Sequence, residues 1–158
     1  MTAPRGAMEA WQDRLPADAV VLDGGADGRV RGRNLVLRLL ASPPADQGAV
    51  TQAASRIPQW LHALDLDAPD GGLSRLCVLL PRRDDELSLA AEALTETLVR
   101  YGAGHLALRP VQVNLLRHPP TPEGLGRAAD MVSALFGGRL DGVRGQVFDL
   151  RDLGEASA

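Results

Sequence analysis

Two apolar runs with a helical pattern between them dominate residues 74–116 of this chain. Residues 75–80 form a short run that ends at Pro81, which is typical of a strand buried on both faces. Residues 105–116 are again apolar and prone to β structure, with Val111 and Val113 in alternation. A helix between two such strands predicts a βαβ unit with parallel strands and a right-handed crossover. The segment therefore predicts the centre of a parallel sheet.

The residues between the two runs carry the signals of a helix over residues 86–101. Asp84 or Asp85 can cap its N-terminus, and Gly102 with Gly104 predicts its end. The side chains that we expect on the sheet recur at helical spacing: Leu87, Ala91, Leu94 and Leu98. A second face, available to a partner subunit, carries small residues: Ala90, Ala93 and Thr97. The alternative is an amphipathic helix with one buried face in a monomer.

The remaining segments continue the alternation of strand and helix. Strands are predicted at Ala19–Leu22 and residues 147–150, and helices at residues 46–64 and 121–136. The secondary structure of residues 34–41 is left undecided between helix and strand, because leucine and arginine favour a helix whereas an unbroken apolar run favours a buried strand. We predict an α/β fold of three layers, Rossmann-like, with a mostly parallel sheet.

Length and composition limit the number of domains and the kinds of partner that the protein can bind. A chain of 158 residues with 45% hydrophobic residues can bury the core of one domain. We predict an N-terminal arm at residues 1–16, a single domain at residues 17–152 and a flexible tail at residues 153–158. A net charge of −3 without a basic block argues against nucleic acid, and no apolar run approaches a membrane span. We expect a cytoplasmic protein that binds neither nucleic acid nor membrane.

Residue usage also excludes several chemistries. All 17 basic residues are arginine, so the lysine of a P-loop and the amine of a Schiff base are both absent. The single cysteine, Cys77, lies in an apolar strand and is expected to be a buried small hydrophobe. His62 and Asp65 stand at a spacing that can share a metal, but a surface pair at the end of a helix is the favoured interpretation. We expect no metal site.

A glycine-rich segment follows the first predicted strand. Gly24, Gly28 and Gly32 are the candidate cofactor residues, because glycines allow backbone N–H groups to approach a pyrophosphate at the start of a helix. The alternative is a surface turn between two strands, and this alternative is favoured over the dinucleotide site.

Residues 50–152 resemble the short-chain dehydrogenase/reductase family in the order of their segments and in the sequence of each segment. AASRIPQWLHAL resembles the family's long interface helix, and SRLCVLL is similar to its Gly-Arg-Ile-Val-Asn-Ile strand. AAEALTETLVRYG resembles the helix that carries the family's catalytic Tyr-x-x-x-Lys, and VQVN resembles the Ile-Arg-Val-Asn strand after it. The resemblance implies a dinucleotide-binding fold, shortened relative to a full family domain, because the segment with the family's adenosine-ribose contact has no counterpart.

The same alignment implies that catalysis has been lost. Asp84 stands in the place of the family's tyrosine and Ser88 in the place of its lysine, while the catalytic serine falls near Arg82. The only tyrosine, Tyr101, lies several helical turns away. We therefore expect no catalytic residues and no cofactor, with NAD or NADP as the alternative.

The resemblance further implies that the protein acts by association. The partner is then a second copy of the chain or a catalytically active family member. The predicted interface residues are Ala54, Trp60, Leu61, Ala90, Ala93, Thr97 and Tyr101. A nucleotide-sensing module and an enzyme with chemistry at Arg82, Asp84 or His118 remain the alternatives.

Overall fold

The structure, a computed structural model, describes residues 10–22, 33–66, 73–138, 140 and 142–150. Five parallel strands form one sheet in the order β1-β2-β3-β4-β5. The strands are β1 (Ala19–Leu22), β2 (Asn34–Arg38), β3 (Ser74–Pro81), β4 (Val111–His118) and β5 (Val147–Asp149). The helices are α1 (Gln47–Leu66), α2 (Glu86–His105) and α3 (Pro122–Phe136). The predicted α/β class with a parallel, Rossmann-like sheet is confirmed.

The sheet separates two apolar clusters and so forms the middle of three layers. Helices α1 and α2 cover one face, where Ile57, Leu64 and Val99 meet the leucines of β2, β3 and β4. Helix α3 covers the other face, where Val132 and Leu135 meet Val36, Cys77, Leu79 and Leu116. Because both faces are buried, the central strands are apolar almost without interruption, as parallel strands generally are.

The position of α3 gives the last crossover an unusual hand. Each connection from β2 to β5 advances to the next strand in the same direction across the sheet. Helices α1 and α2 lie on one face, but α3, which joins β4 to β5, lies on the other. The β4-α3-β5 crossover therefore has the opposite hand to the two before it, which is rare because parallel crossovers are almost always right-handed.

The open segment at residues 34–41 contains a strand. Residues of β2 pair in parallel with β1 on one side and with β3 on the other, and Leu35, Val36 and Leu37 are fully buried. Two neighbouring strands satisfy the backbone groups of β2, which outweighs the modest helix preference of leucine and arginine.

Helix α2 differs from its predicted form in two respects. It continues through Gly102 and Gly104 to His105, and Gly102 is a contact point instead of an end signal. A Cβ atom at Gly102 would lie 2.4 Å from Cδ1 of Leu61, so the bare glycine lets α2 approach α1 closely. The buried face is made of smaller residues than predicted, namely Ser88, Ala91, Thr95, Val99 and Gly102. Leu94 is not part of it and remains 36% exposed.

The segment before β1 packs on the α3 side of the sheet. A short 3₁₀ turn (Gln12–Arg14) follows Trp11, which is buried in the same cluster as Val132. The guanidinium of Arg38 lies 5.8 Å from the centroid of the Trp11 ring. The hydroxyl of Ser133 donates a 2.7 Å hydrogen bond to the carbonyl of Arg14, which ties this segment to α3.

Candidate functional site

The carboxyl ends of the strands form the edge where open α/β sheets place their sites. Strands β2, β3 and β4 end there at Arg38, Pro81 and His118. Between these ends and the N-terminus of α3 lies a cavity of about 130 Å³. The residues that line it are Arg38, Ala41, Pro81, Arg83, His118, Pro120, Thr121, Pro122 and Leu125. No carboxylate is among these residues, so the charged groups that line the cavity are the guanidinium groups of Arg38 and Arg83.

Strand alternation explains why Arg38 and His118 reach the same cavity. Val36 and Leu116, two residues earlier in β2 and β4, both face the cluster under α3. Because side chains two positions apart share a face of a strand, Arg38 and His118 also point to the α3 side. Arg38 is not among the site residues predicted from the sequence. The sequence does carry one signal for it, because Arg38 is the first charged residue after the buried Leu-Val-Leu run of β2.

Arg83 holds the turn that closes the cavity. Its Nη1 donates to the carbonyl of Leu40 at 2.9 Å, and its Nη2 donates to the carbonyl of Ala41 at 3.0 Å. Leu40 has a φ of +50°, a left-handed conformation that costs a residue with a Cβ atom about 1 kcal/mol or more. The two hydrogen bonds from one guanidinium stabilise this strained turn and fix the arginine at the same time.

His118 is the buried titratable side chain of this edge. Its ring is 1% exposed, and its Nδ1 lies 2.8 Å from the carbonyl oxygen of Pro119. A carbonyl only accepts hydrogen bonds, so this contact assigns the ring proton to Nδ1. Burial lowers the pKa of His118, and the charges of Arg38 and Arg83 lower it further, although the contact with Pro119 opposes them. The ring is therefore neutral at pH 7, with a lone pair on Nε2.

The residues at the family's catalytic positions do not converge on the cavity. Arg82 forms a 2.6 Å ion pair with Asp149, and Asp84 is exposed. Ser88 is buried, and its backbone N–H donates to Asp85, the observed cap of α2. Tyr101 lies about 25 Å along the helix from Asp84. The thiol of Cys77 is buried as expected, and burial raises its pKa well above the ordinary value, so it is not a nucleophile.

The candidate cofactor glycines Gly24, Gly28 and Gly32 lie outside the described residues. The segment that contains them connects β1, which ends at Leu22, to β2. The assignment of these three glycines to a cofactor remains a prediction.

The predicted interface residues divide into a buried and an exposed group. Ala54, Trp60 and Leu61 of α1 are buried inside the chain, and Trp60 and Leu61 belong to the core cluster on this face of the sheet. Ala90, Ala93, Thr97 and Tyr101 of α2 are exposed. Their neighbours Leu89 and Leu94 are exposed as well, and Leu108 follows in the turn after the helix.

A groove of about 190 Å³ opens between the carboxyl halves of α1 and α2. The rings of Tyr101 and His105 stack beside it with centroids 6.0 Å apart. Asp65 lies in the same groove and forms a 2.6 Å ion pair with Arg109, while His62 stands one turn earlier. We use the name outer face for the exposed side of α2 together with this groove.

Comparison with known proteins shows similarity in fold. No protein-family profile and no curated protein matches the sequence. An oxidoreductase of the short-chain dehydrogenase/reductase class from Brucella ovis matches 90% of this chain and 72% of its own, with a TM-score of 0.54 and 13% identity. A second solved structure, of an oxidoreductase of the short-chain dehydrogenase/reductase family from Brucella ovis in complex with a partially ordered NAD, matches 90% of this chain and 68% of its own, with a TM-score of 0.50 and 13% identity.

These matches confirm the resemblance to short-chain dehydrogenase/reductases at the level of the fold, in a shortened form. They also require one correction. The expectation of no cofactor is wrong, because a structure of this fold holds NAD and so points to a nucleotide cofactor. Among the described residues, no helix is both long and apolar enough to cross a bilayer.

Proposed function

We propose that this protein is a non-catalytic relative of the short-chain dehydrogenase/reductases that acts by association through its outer face. The partner is a second copy of the same chain. One observation carries the proposal: of the five large hydrophobic side chains exposed in the described residues, three lie on α2 and a fourth in the turn after it. These four are Leu89, Leu94, Tyr101 and Leu108. A concentration of exposed large apolar side chains in one part of a surface is a mark of an interaction site.

The division of residues on α2 supports the same conclusion. Helix α2 packs on its own chain with mostly small residues and Val99, whereas Leu89, Leu94 and Tyr101 are exposed. An isolated amphipathic helix would place its largest apolar groups inward. Leu98 packs on the core, but Leu89 and Leu94 remain available for a second apolar contact.

The charges of the outer face favour a second copy as the partner. The exposed positions of α1 are mostly uncharged, including Thr51, Gln52, Pro58, Gln59 and His62. The central exposed positions of α2 are Ala90, Ala93, Leu94 and Thr97, also uncharged. The charged side chains of the outer face occur in ion pairs, Arg100 with Glu96 and Arg109 with Asp65. In a twofold symmetric contact each patch meets itself, so a patch whose charges are few and paired avoids the repulsion that a single-sign patch would create.

Sedimentation velocity over a range of protein concentrations tests this association. The native protein is expected to sediment as a dimer, and L94E as a monomer, because the glutamate would be buried without a partner. Leu94 is only partly buried and glutamate is a good helix former, so the monomer of L94E should stay folded.

V20E is the matched control for L94E. Val20 is 37% exposed, close to the 36% of Leu94. It lies on β1, an edge strand of the sheet, and not on the outer face. The V20E variant should remain a dimer. A native protein that is monomeric at all concentrations would contradict a second copy as the partner, and an active family member mixed with it would then be the remaining partner to test.

Binding of NAD or NADP is the second candidate function, favoured by the NAD in a structure of the same fold. Arg38 and Arg83 at the carboxyl edge fit the negative charge of a dinucleotide. Their cavity of about 130 Å³ is smaller than the sites that enclose whole ligands of that size, so it fits only a part of the molecule.

A bound dinucleotide would supply hydride chemistry, and these residues would hold its anionic groups. Calorimetric titration should give heat with one of the two dinucleotides; no heat at millimolar ligand would exclude the candidate.

A further inference from the structure

We infer that the cavity between Arg38, Arg83 and His118 binds a small oxyanion that also carries a hydroxyl group, with the monohydrogen phosphate ion as its simplest representative. This site is separate from the outer face, which lies on the other side of the sheet. The inference therefore does not depend on the proposed association.

The first requirement on the ligand comes from the two arginines. Arg38 reaches the cavity from β2 and Arg83 from the loop after β3, and none of the described residues that line the cavity is a carboxylate. A guanidinium has five N–H donors, so Arg83 retains donors after its two bonds to the carbonyls of Leu40 and Ala41. Two cations at one cavity favour an anion with several acceptor oxygens.

The second requirement comes from His118. Its Nε2 is buried and has no hydrogen-bond partner among the residues that the structure describes. A buried polar atom without a partner costs about 1–3 kcal/mol, so an occupant that satisfies it is favoured. Because Nδ1 donates to the carbonyl of Pro119, Nε2 of the neutral ring can only accept. The ligand must therefore bring a hydrogen-bond donor.

Few small ions meet both requirements. Monohydrogen phosphate has three acceptor oxygens for the arginines and one O–H for Nε2. Sulfate has the same size and charge but no O–H, so it meets only the first requirement. A 2-hydroxycarboxylate such as glycolate meets both with one negative charge. The cavity of about 130 Å³ has room for a molecule of this size.

A comparison of phosphate with sulfate gives the decisive experiment. We would titrate the ¹⁵N-labelled full chain, above neutral pH, with phosphate, sulfate and glycolate separately and follow the ring nitrogens of His118 by long-range ¹H–¹⁵N correlation. The free protein should show a protonated Nδ1 and an unprotonated Nε2.

Phosphate should shift the Nε2 signal and bind about tenfold more tightly than sulfate, which corresponds to one hydrogen bond to a buried partner. Glycolate should also shift Nε2, which would extend the site to hydroxy acids; no shift with glycolate restricts it to phosphate groups.

Two variants separate the hydroxyl contact from general attraction of anions. The amide of asparagine takes about the place of Nδ1, so H118N keeps a donor for the Pro119 carbonyl and loses Nε2. It should bind phosphate and sulfate equally. R83Q should weaken both ions about tenfold and keep the preference for phosphate. If either variant fails to fold, the ring-nitrogen signals of the native protein still decide the question.

Three outcomes would overturn the inference. They are the absence of any phosphate effect on His118 at millimolar concentration, equal affinities of the native protein for phosphate and sulfate, and an unchanged phosphate preference in H118N. Each outcome is measured without a dinucleotide and without regard to the oligomeric state, so it is distinct from a failure of the proposed function.

Discussion

His118 makes the stability of the fold depend on pH. Its pKa in the folded protein lies below the ordinary value of about 6.5, first because of burial and then because Arg38 and Arg83 are close. Between the lowered pKa and about 6.5 the unfolded chain binds one proton that the folded chain does not bind. The free energy of unfolding therefore rises with pH through this window, and the contribution is complete above about pH 6.5.

Urea unfolding between about pH 5 and pH 8 measures this dependence. Native protein should lose stability as the pH falls below about 6.5, with a slope of at most one proton from His118. The H118N variant should show a flatter profile in the same range, because its amide does not titrate. A slope that is identical in the two proteins would assign the dependence to other groups.

Glu96 links α2 to the sheet through charge. Its carboxylate accepts from the partly buried Arg117 of β4 and also pairs with Arg100 at 3.0 Å. Burial raises the pKa of Glu96, but the bonds and charges of these two arginines outweigh it and bring the pKa below its ordinary value. The carboxylate is thus ionised at pH 7.

The substitution E96Q should lower the free energy of unfolding by about 1–2 kcal/mol, because the guanidinium of Arg117 would keep its burial and lose its counter-charge. D130N is a matched control. Asp130 pairs with Arg14 at 3.4 Å, and both side chains are more than half exposed, so its loss should cost no more than about 0.5 kcal/mol. Urea denaturation of E96Q and D130N compares the free energy of unfolding that each variant loses. Equal losses would contradict the claim that the more buried ion pair contributes more to stability.

At the scale of elements, the sequence predicts what depends on local signals and misses what depends on neighbours. The helix predicted at residues 121–136 is confirmed as α3, because its start depends on local signals: Thr121 caps it and Pro122 occupies its first turn. Whether residues 34–38 form a helix or a strand is decided by β1 and β3, which lie on either side of them in the sheet. The end of α2 is missed for the same reason, since Gly102 serves a contact with Leu61 that sequence spacing does not reveal. Arg38 joins His118 and Arg83 only through the sheet register.

The start of α3 depends on a close approach that only glycine permits. A Cβ atom at Gly124 would lie 2.4 Å from the carbonyl oxygen of Pro119, which also accepts from the backbone N–H of Thr121 and contacts Nδ1 of His118. G124A should therefore destabilise the protein by about 1–3 kcal/mol and disturb the ring-nitrogen signals of His118. G104A is the control: a Cβ atom there meets nothing within 4 Å, so the better helix propensity of alanine should stabilise α2 by up to about 1 kcal/mol. Thermal unfolding of both variants tests the contrast, and a neutral G124A would show that the turn at Pro119 adjusts freely.

At the scale of the whole molecule, the sheet keeps two surfaces apart. The outer face lies over α1 and α2, whereas the cavity of Arg38, Arg83 and His118 lies between the carboxyl edge and α3. The last crossover, with its unusual hand, is what brings α3 to the side opposite α1 and α2. Because α3 covers the cavity side, association through α2 leaves the cavity accessible, and each surface can be altered without the other.

Association through the outer face also predicts how stability depends on concentration. If only the folded chain associates, mass action stabilises it further as the protein concentration rises. The Tm of the native protein should therefore increase with concentration, while the Tm of L94E should be constant and V20E should behave like the native protein. Calorimetric scans over a hundredfold range of concentration measure this. The addition of phosphate should raise the Tm of all three proteins by a similar amount, since the cavity is on the other side of the sheet; a phosphate effect confined to the dimer would show that the two surfaces are coupled.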